Sequence, residues 1–234
     1  MKRRQIDIAG AIALALHAVS YAGPSRAGGL QDLTSAETDQ GLKRALEQGA
    51  LAAVALLGRP GGFLDNPQVR IPLPGFIADA AKLLKALGQR KQVEELEVAM
   101  NRAAEAAVPL AKDLLVDAVR GMTIVDARNI LTGGPTSVTS FFAGKTREPL
   151  GLRFLPVVTT ATMKVGLAEK YNRVAGKVSG MGLVRKEDAT IEQYVTRKSL
   201  DGLYFMIGEE EKKIRSNPAG AADAIVRKVF GALR

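Results

Sequence analysis

Along most of the chain apolar residues recur at three- and four-residue intervals, the spacing of one helix face, and no stretch alternates apolar with polar residues as a half-buried strand would. The first stripe, Leu42, Leu46, Gly49, Ala50, Ala53, Leu56 and Leu57, follows Thr34-Ser35-Ala36-Glu37 and stops at Gly58. In that opening a threonine hydroxyl and a glutamate three residues later can cap each other's backbone donors, so it marks a helix start. From Gly58 to Gly75 the chain holds Pro60, Gly61, Gly62, Pro67, Pro72 and Pro74, which exclude a regular helix and predict a long loop. A short helix over Phe76 to Leu87, ended by Gly88, comes next.

From Lys91 to Arg120 one stripe runs through Val93, Leu96, Met100, Ala103, Ala104, Ala107, Ala111, Leu114 and Ala118, predicting a long core helix that Pro109 kinks near its middle. Thr123 and Asp126 suggest the cap of a short helix to Leu131, which Gly133-Gly134-Pro135 ends. A short helix around Ser137 to Ala143 and a separate long one from about Phe154 to Ala175 follow, with Gly176, Gly180 and Gly182 marking the break after it. Over Thr190 to Arg215 the residues Leu203, Tyr204, Phe205, Met206 and Ile207 point all round a helical wheel, which predicts a helix buried on every side. Asn217-Pro218 then reads as the cap and first-turn proline of a last helix ending near Phe230. The pattern predicts an all-α fold, one multi-helix domain over 28–234.

The first 27 residues fall outside this scheme. Basic Lys2, Arg3 and Arg4 precede an apolar stretch from Ile8 to Ala22, and Ser25 and Ala27 form a small-residue cleavage pattern before Gly28. This is the layout of a cleavable signal peptide, with a cut after Ala22 as the alternative, and it implies a periplasmic protein. His17, Ser20 and Tyr21 interrupt the stretch, which is too short for a transmembrane anchor. Arg3-Arg4 admits a twin-arginine route, although Asp7 and the lack of the remaining pattern favour the general one.

Composition narrows the chemistry. Apolar residues make up 47% of the chain and aromatics only 5%, an aliphatic mixture suited to closely packed helices. Removing the leader takes the formal charge from +9 to +6, since Lys2, Arg3, Arg4, Arg26 and Asp7 leave with it. The remaining basic protein suits an anionic envelope component, lipid or another periplasmic protein as partner. Its cations are scattered rather than clustered and aromatic stacking residues are few, which argues against nucleic acid. There is no Cys, and the one His lies in the leader, so the mature chain has no thiol nucleophile, His base, disulfide or Cys/His zinc site. Any metal would need oxygen ligands. No metal set, cofactor or catalytic residue is assigned.

Candidate residues are polar groups in apolar settings. Arg70 sits inside Ile71-Pro72-Leu73-Pro74 and its rigid segment, where it could clamp an anion, although a loop strapped to the core by Ile71 and Leu73 accounts for it more simply. Asn101, Arg102 and Glu105 read as the flank of the long helix, with Arg102 and Glu105 paired at the surface. Tyr194, Lys198 and Asp201 share a helix face with Ile191 and Phe205, and Lys198 and Asp201 should pair with each other or with Arg70, Glu105 or Glu210. Ala143-Gly144-Lys145-Thr146 imitates the end of a phosphate-binding loop, but position 139 is Thr rather than the required Gly, so the match is fortuitous. These residues fit a non-catalytic binding or scaffolding module for an apolar or anionic ligand. A hydrolase using Lys198, Asp201, Tyr194, Glu105 and Arg70, or an oxygen-ligated metal, is the alternative.

The segments Gly62-Phe63-Leu64, Val69 to Pro74, Met100-Asn101-Arg102-Ala103-Ala104-Glu105, Tyr194 to Leu203 and Glu210 to Pro218 resemble domain-of-unknown-function family 4197 over nearly the whole mature chain. The resemblance implies a helical, exported protein of Gram-negative bacteria, lipid-anchored in some relatives. This chain has no lipobox Cys, so anchoring does not carry over. The family brings no settled activity, substrate or catalytic residues.

Overall fold

The computed structural model describes residues 29–125, 127–171, 174 and 190–233, and these form eight α-helices joined by 3-10 turns and loops. The leader, Asp126, Gly176, Gly180 and Gly182 lie outside the described residues.

Helix α1 (Ser35–Leu57) begins with the capping box read from Thr34 and Glu37, whose side chains each bond the other's backbone. The Pro/Gly loop follows, and α2 (Gly75–Leu84) leads to Gly88, whose φ of 77° turns the chain into α3. Helices α3 (Arg90–Ala107) and α4 (Lys112–Gly121) are the predicted long helix broken by a 3-10 turn at Val108–Ala111, because Pro109 has no N–H to continue the ladder. A short α5 (Ala127–Leu131) comes before α6 (Ser137–Lys164). Thr190 caps α7 (Ile191–Ser216) by accepting from Gln193 N–H. The last helix is α8 (Ala224–Gly231).

Two sequence expectations change. The short helix at Ser137 and the long one at Phe154 are one helix, with Pro149 and Pro156 inside it. The prolines are seven residues apart, two helical turns, and both are exposed, so the carbonyls of Lys145 and Leu152 that lose their helix donors are on the outer side. That helix ends at Lys164 before Gly166 (φ 61°), and residues 167–171 are helical again. Asn217-Pro218 does not start the last helix. It opens a separate 3-10 turn, Pro218–Gly220, and Asp223 caps α8 by accepting from Ile225 N–H.

Helix α7 is the axis of the molecule, packed along both α1 and α6, while α8 lies on α1 and α3 crosses α6. Leu203, Tyr204, Met206 and Ile207 are buried as expected, but Phe205 is 38% exposed, so α7 keeps one open side. The fully buried Phe63, Phe142, Phe154 and Phe230 come from the loop, α6 and α8, and with the leucines of α1 they close a single aliphatic core.

The two ends of the described chain are tied by Glu37 and Lys228, 2.5 Å apart. The Lys228 ammonium and the Thr34 backbone N–H hold the half-buried Glu37 carboxyl at about 2, below its ordinary 4.5. A folded-state value below the unfolded one means that this stabilisation is complete above pH 4.5 and fades as the pH falls toward 2. Glu37→Gln is expected to have a lower urea midpoint than the parent near neutrality, and the two should converge as the pH approaches 2. A constant difference across that range would show that the ion pair does not contribute.

Candidate functional site

The Pro/Gly loop is shaped first by its own backbone. Gly61 has φ 82°, and a Cβ on Gly62 would stand 2.4 Å from the Leu57 carbonyl oxygen, so this turn folds back over the end of α1 only with glycines there. The turn buries Phe63 and leaves two backbone donors pointing inward, and Glu105 of α3 meets both: its Oε1 accepts from Phe63 N–H at 3.1 Å and Leu64 N–H at 3.0 Å. Four residues earlier on the same helix, Asn101 is wholly buried and brackets Ile71, accepting from its N–H at 2.8 Å and donating to its carbonyl at 2.9 Å. Tyr194 completes the strap from α7 by donating its hydroxyl to the Pro72 carbonyl at 2.8 Å.

This corrects the reading of Asn101 and Glu105 as a surface flank. Only Arg102 is partly open there, donating to Glu105 Oε2 at 2.6 Å. Arg70 lies outside the clamp and pairs with Glu97 at 2.9 Å, so it is neither an isolated anion trap nor a partner of Lys198 or Asp201.

A second arrangement lies along the seam of α6 and α7. Asp201 receives Arg147 of α6 at 2.5 Å and Lys198 of its own helix at 3.6 Å, which places the expected Lys198–Asp201 pair at a half-exposed surface rather than in the core. The Arg147 guanidinium also sits 4.9 Å over the Tyr204 ring. Tyr204 donates to Thr146 Oγ1 at 2.9 Å, because the single Thr146 hydrogen is directed to the Phe142 carbonyl at 2.6 Å. Burial pushes the Tyr204 phenol above its ordinary value, so it stays a neutral donor. Lys145 and Thr146 stand in mid-helix, with Lys145 over the Phe141 ring, so the phosphate-loop imitation is indeed fortuitous.

Arg147 separates two open cavities. On one side, Gly151, Leu152, Leu155, Thr196 and Leu200 form a groove of about 290 Å³ whose walls are chiefly apolar, with Arg147, Glu148, Gln193 and Arg197 around it. On the other, a more polar hollow of about 390 Å³ lies among Thr139, Ser140, Asp201, Phe205 and Lys212. Lys198 lines neither.

The third polar centre, at Glu211, had no signal beyond an acid in an amphipathic run. It is buried and caps α6 from another helix, accepting from Val138 N–H at 3.1 Å, Thr139 N–H at 2.8 Å and the Thr139 hydroxyl at 2.7 Å. Arg215 locks it, donating to Glu211 at 2.9 Å, to the Leu131 carbonyl and to Ser137 Oγ, with its guanidinium over Phe230. The neighbouring Glu210 instead pairs with Lys213 at the surface.

The structure therefore divides the candidates. Asn101, Glu105 and Tyr194 converge on the loop, Lys198 and Asp201 on the α6/α7 seam, and Arg70 and Glu210 on separate surface pairs. Arg147 and Arg197, which make the seam distinctive, carried no pattern in the sequence. Among the described residues no cluster of carboxylates or histidine could hold a metal ion, and no helix is long and apolar enough to cross a membrane. The profile of the family described as "Protein of unknown function (DUF4197)" matches residues 32–231, and the chain belongs to that family. No curated protein and no solved structure matches the chain.

Asn101→Ala separates the clamp from a surface role. Leaving the Ile71 N–H and carbonyl buried without partners should cost about 2–4 kcal/mol in urea unfolding and open the loop to protease, against roughly 0.5 kcal/mol for an exposed polar side chain.

Proposed function

We propose that the protein is a non-catalytic binding module of the bacterial envelope, working in the periplasm after loss of its leader, and that the α6/α7 groove holds a small amphiphile with an anionic group. The observation that carries this reading is the groove's composition: Leu152, Leu155 and Leu200 supply an apolar bed, and Arg147 and Arg197 stand where an acidic head would lie. A cavity of about 290 Å³ is at the small end of ligand sites and suits an acyl segment better than a bulky polar substrate. Both guanidiniums rest on aromatic rings, Arg147 on Tyr204 and Arg197 on Tyr194 at 5.3 Å, which orients them before any ligand arrives.

The hydrolase alternative needs Lys198, Asp201, Tyr194, Glu105 and Arg70 in one cleft. Glu105 and Tyr194 are instead engaged on the loop, and Arg70 is paired with Glu97. These engagements favour binding over turnover.

Gly151 offers the test. A Cβ there meets nothing nearer than Leu200 Cδ1 at 3.8 Å, so a larger side chain fits the helix and projects into the groove. Gly151→Leu is expected to keep or slightly raise thermal stability, since it replaces glycine within a helix. Native mass spectrometry of protein from its own host should show a bound amphiphile in the parent and none in the variant. Retention of the same ligand by Gly151→Leu would remove the groove from the proposal.

A further inference from the structure

The outward side of α6 is a second surface, which meets the groove at Leu152. Between residues 145 and 164 the helix turns Pro149, Leu152, Pro156 and Met163 to solvent along roughly one third of its circumference, with Leu152 73% and Met163 67% exposed. The same strip carries Lys145, Arg153 and Lys164, all exposed, and no carboxylate. None of the three makes an ion pair with a described residue.

Beside the strip lies an open cavity of about 560 Å³, into which Lys145 and Arg153 reach and where Val125 is 91% exposed. Its lining holds two cations and no acid. Pro149 and Pro156 add a backbone consequence: the carbonyls of Lys145 and Leu152 lack their helix donors and must be met from outside, by water or by a hydrated surface.

We infer that this face of α6 docks flat on an anionic lipid surface. Exposed apolar side chains at helical spacing, with Lys145 among them, Arg153 and Lys164 along one flank and a single acid, Glu148, beyond the other, are features by which a helix lies in a bilayer interface without spanning it. The apolar groups enter the headgroup boundary, and Lys145, Arg153 and Lys164 meet lipid phosphates. A protein partner would need acids matched to single positions, whereas a lipid surface supplies diffuse negative charge to all three cations at once. Docked in this way, the molecule would sit with α6 against the lipid and the α6/α7 groove at the edge of the contact.

The test is co-sedimentation of the protein, expressed in its own host, with phosphatidylcholine vesicles that contain or lack phosphatidylglycerol. Binding is expected only with phosphatidylglycerol and should weaken as salt rises. Arg153→Glu/Lys145→Glu should reduce partitioning at least about tenfold, and Met163→Glu should also reduce it. All these side chains are exposed, and circular dichroism checks that the helices remain. Gly151→Leu should bind vesicles like the parent, so a failure of the groove proposal leaves this one standing. Equal binding to neutral vesicles, or unaltered binding by the charge-reversed variant, overturns the inference. So does sedimentation showing a dimer that Met163→Glu dissociates, which would make the strip an interface between copies.

Discussion

A buried backbone N–H or carbonyl has no water to turn to, and the way three side chains answer that constraint organises this molecule. Helix α7 is apolar around most of its circumference, so other segments must wrap it, and some of those segments are not regular. The Pro/Gly loop is the most irregular. Burying Phe63 and Ile71 takes the backbone of the loop inward, and without Glu105 and Asn101 its donors would be unpaired. At the opposite end of the seam Thr136 provides no side-chain cap to α6, and Glu211 provides it from α7. Each of these side chains joins elements distant in sequence, so each also fixes register: α3 to the loop, and α7 to the start of α6.

Glu105 and Glu211 share one design. Each is a nearly sealed carboxylate that accepts from two consecutive backbone N–H groups and is joined by an arginine on its own helix, Arg102 or Arg215. A lone buried charge would cost several kcal/mol, and one cation does not offset that unless the other lone pairs are also met. Here backbone donors reinforce the arginine at each carboxylate, which accounts for polar groups within an Ala- and Leu-rich core. It also sets them apart from the seam, because each of these carboxylates is committed to two backbone donors and an arginine. The polar groups that line open cavities are at the seam, on Arg147, Arg197 and Asp201.

What could be read from the sequence was what is decided within a helical turn or two. The Thr34/Glu37 box, the stop at Gly88 and the break at Pro109 were legible because their partners lie within a few residues. Arg102 and Glu105 show the limit of that logic. Their i, i+3 pairing is real, but the same spacing occurs on any wet helix, and only the loop folding over Glu105 makes it internal. Likewise Pro149 and Pro156 suggested separate helices because their tolerance depends on which side of α6 faces water. Asn217-Pro218 had the right residues for a helix start, and Asp223 took that role a few residues later.

The seam was hidden for a related reason. Arg147 and Arg197 lie on different helices 50 residues apart, and nothing local marks either as more than a surface cation. Packing of α6 along α7 brings Arg147 onto Asp201 and Tyr204 and leaves the space over Gly151, where a larger residue would fill the groove. The ring beneath each guanidinium matters physically. A free arginine side chain loses rotamer freedom when it grips an anion, and a ring that already holds the guanidinium reduces that loss. The α6/α7 seam is therefore the place where this otherwise aliphatic fold combines open apolar surface with pre-oriented positive charge, while its buried acids are committed to holding the backbone.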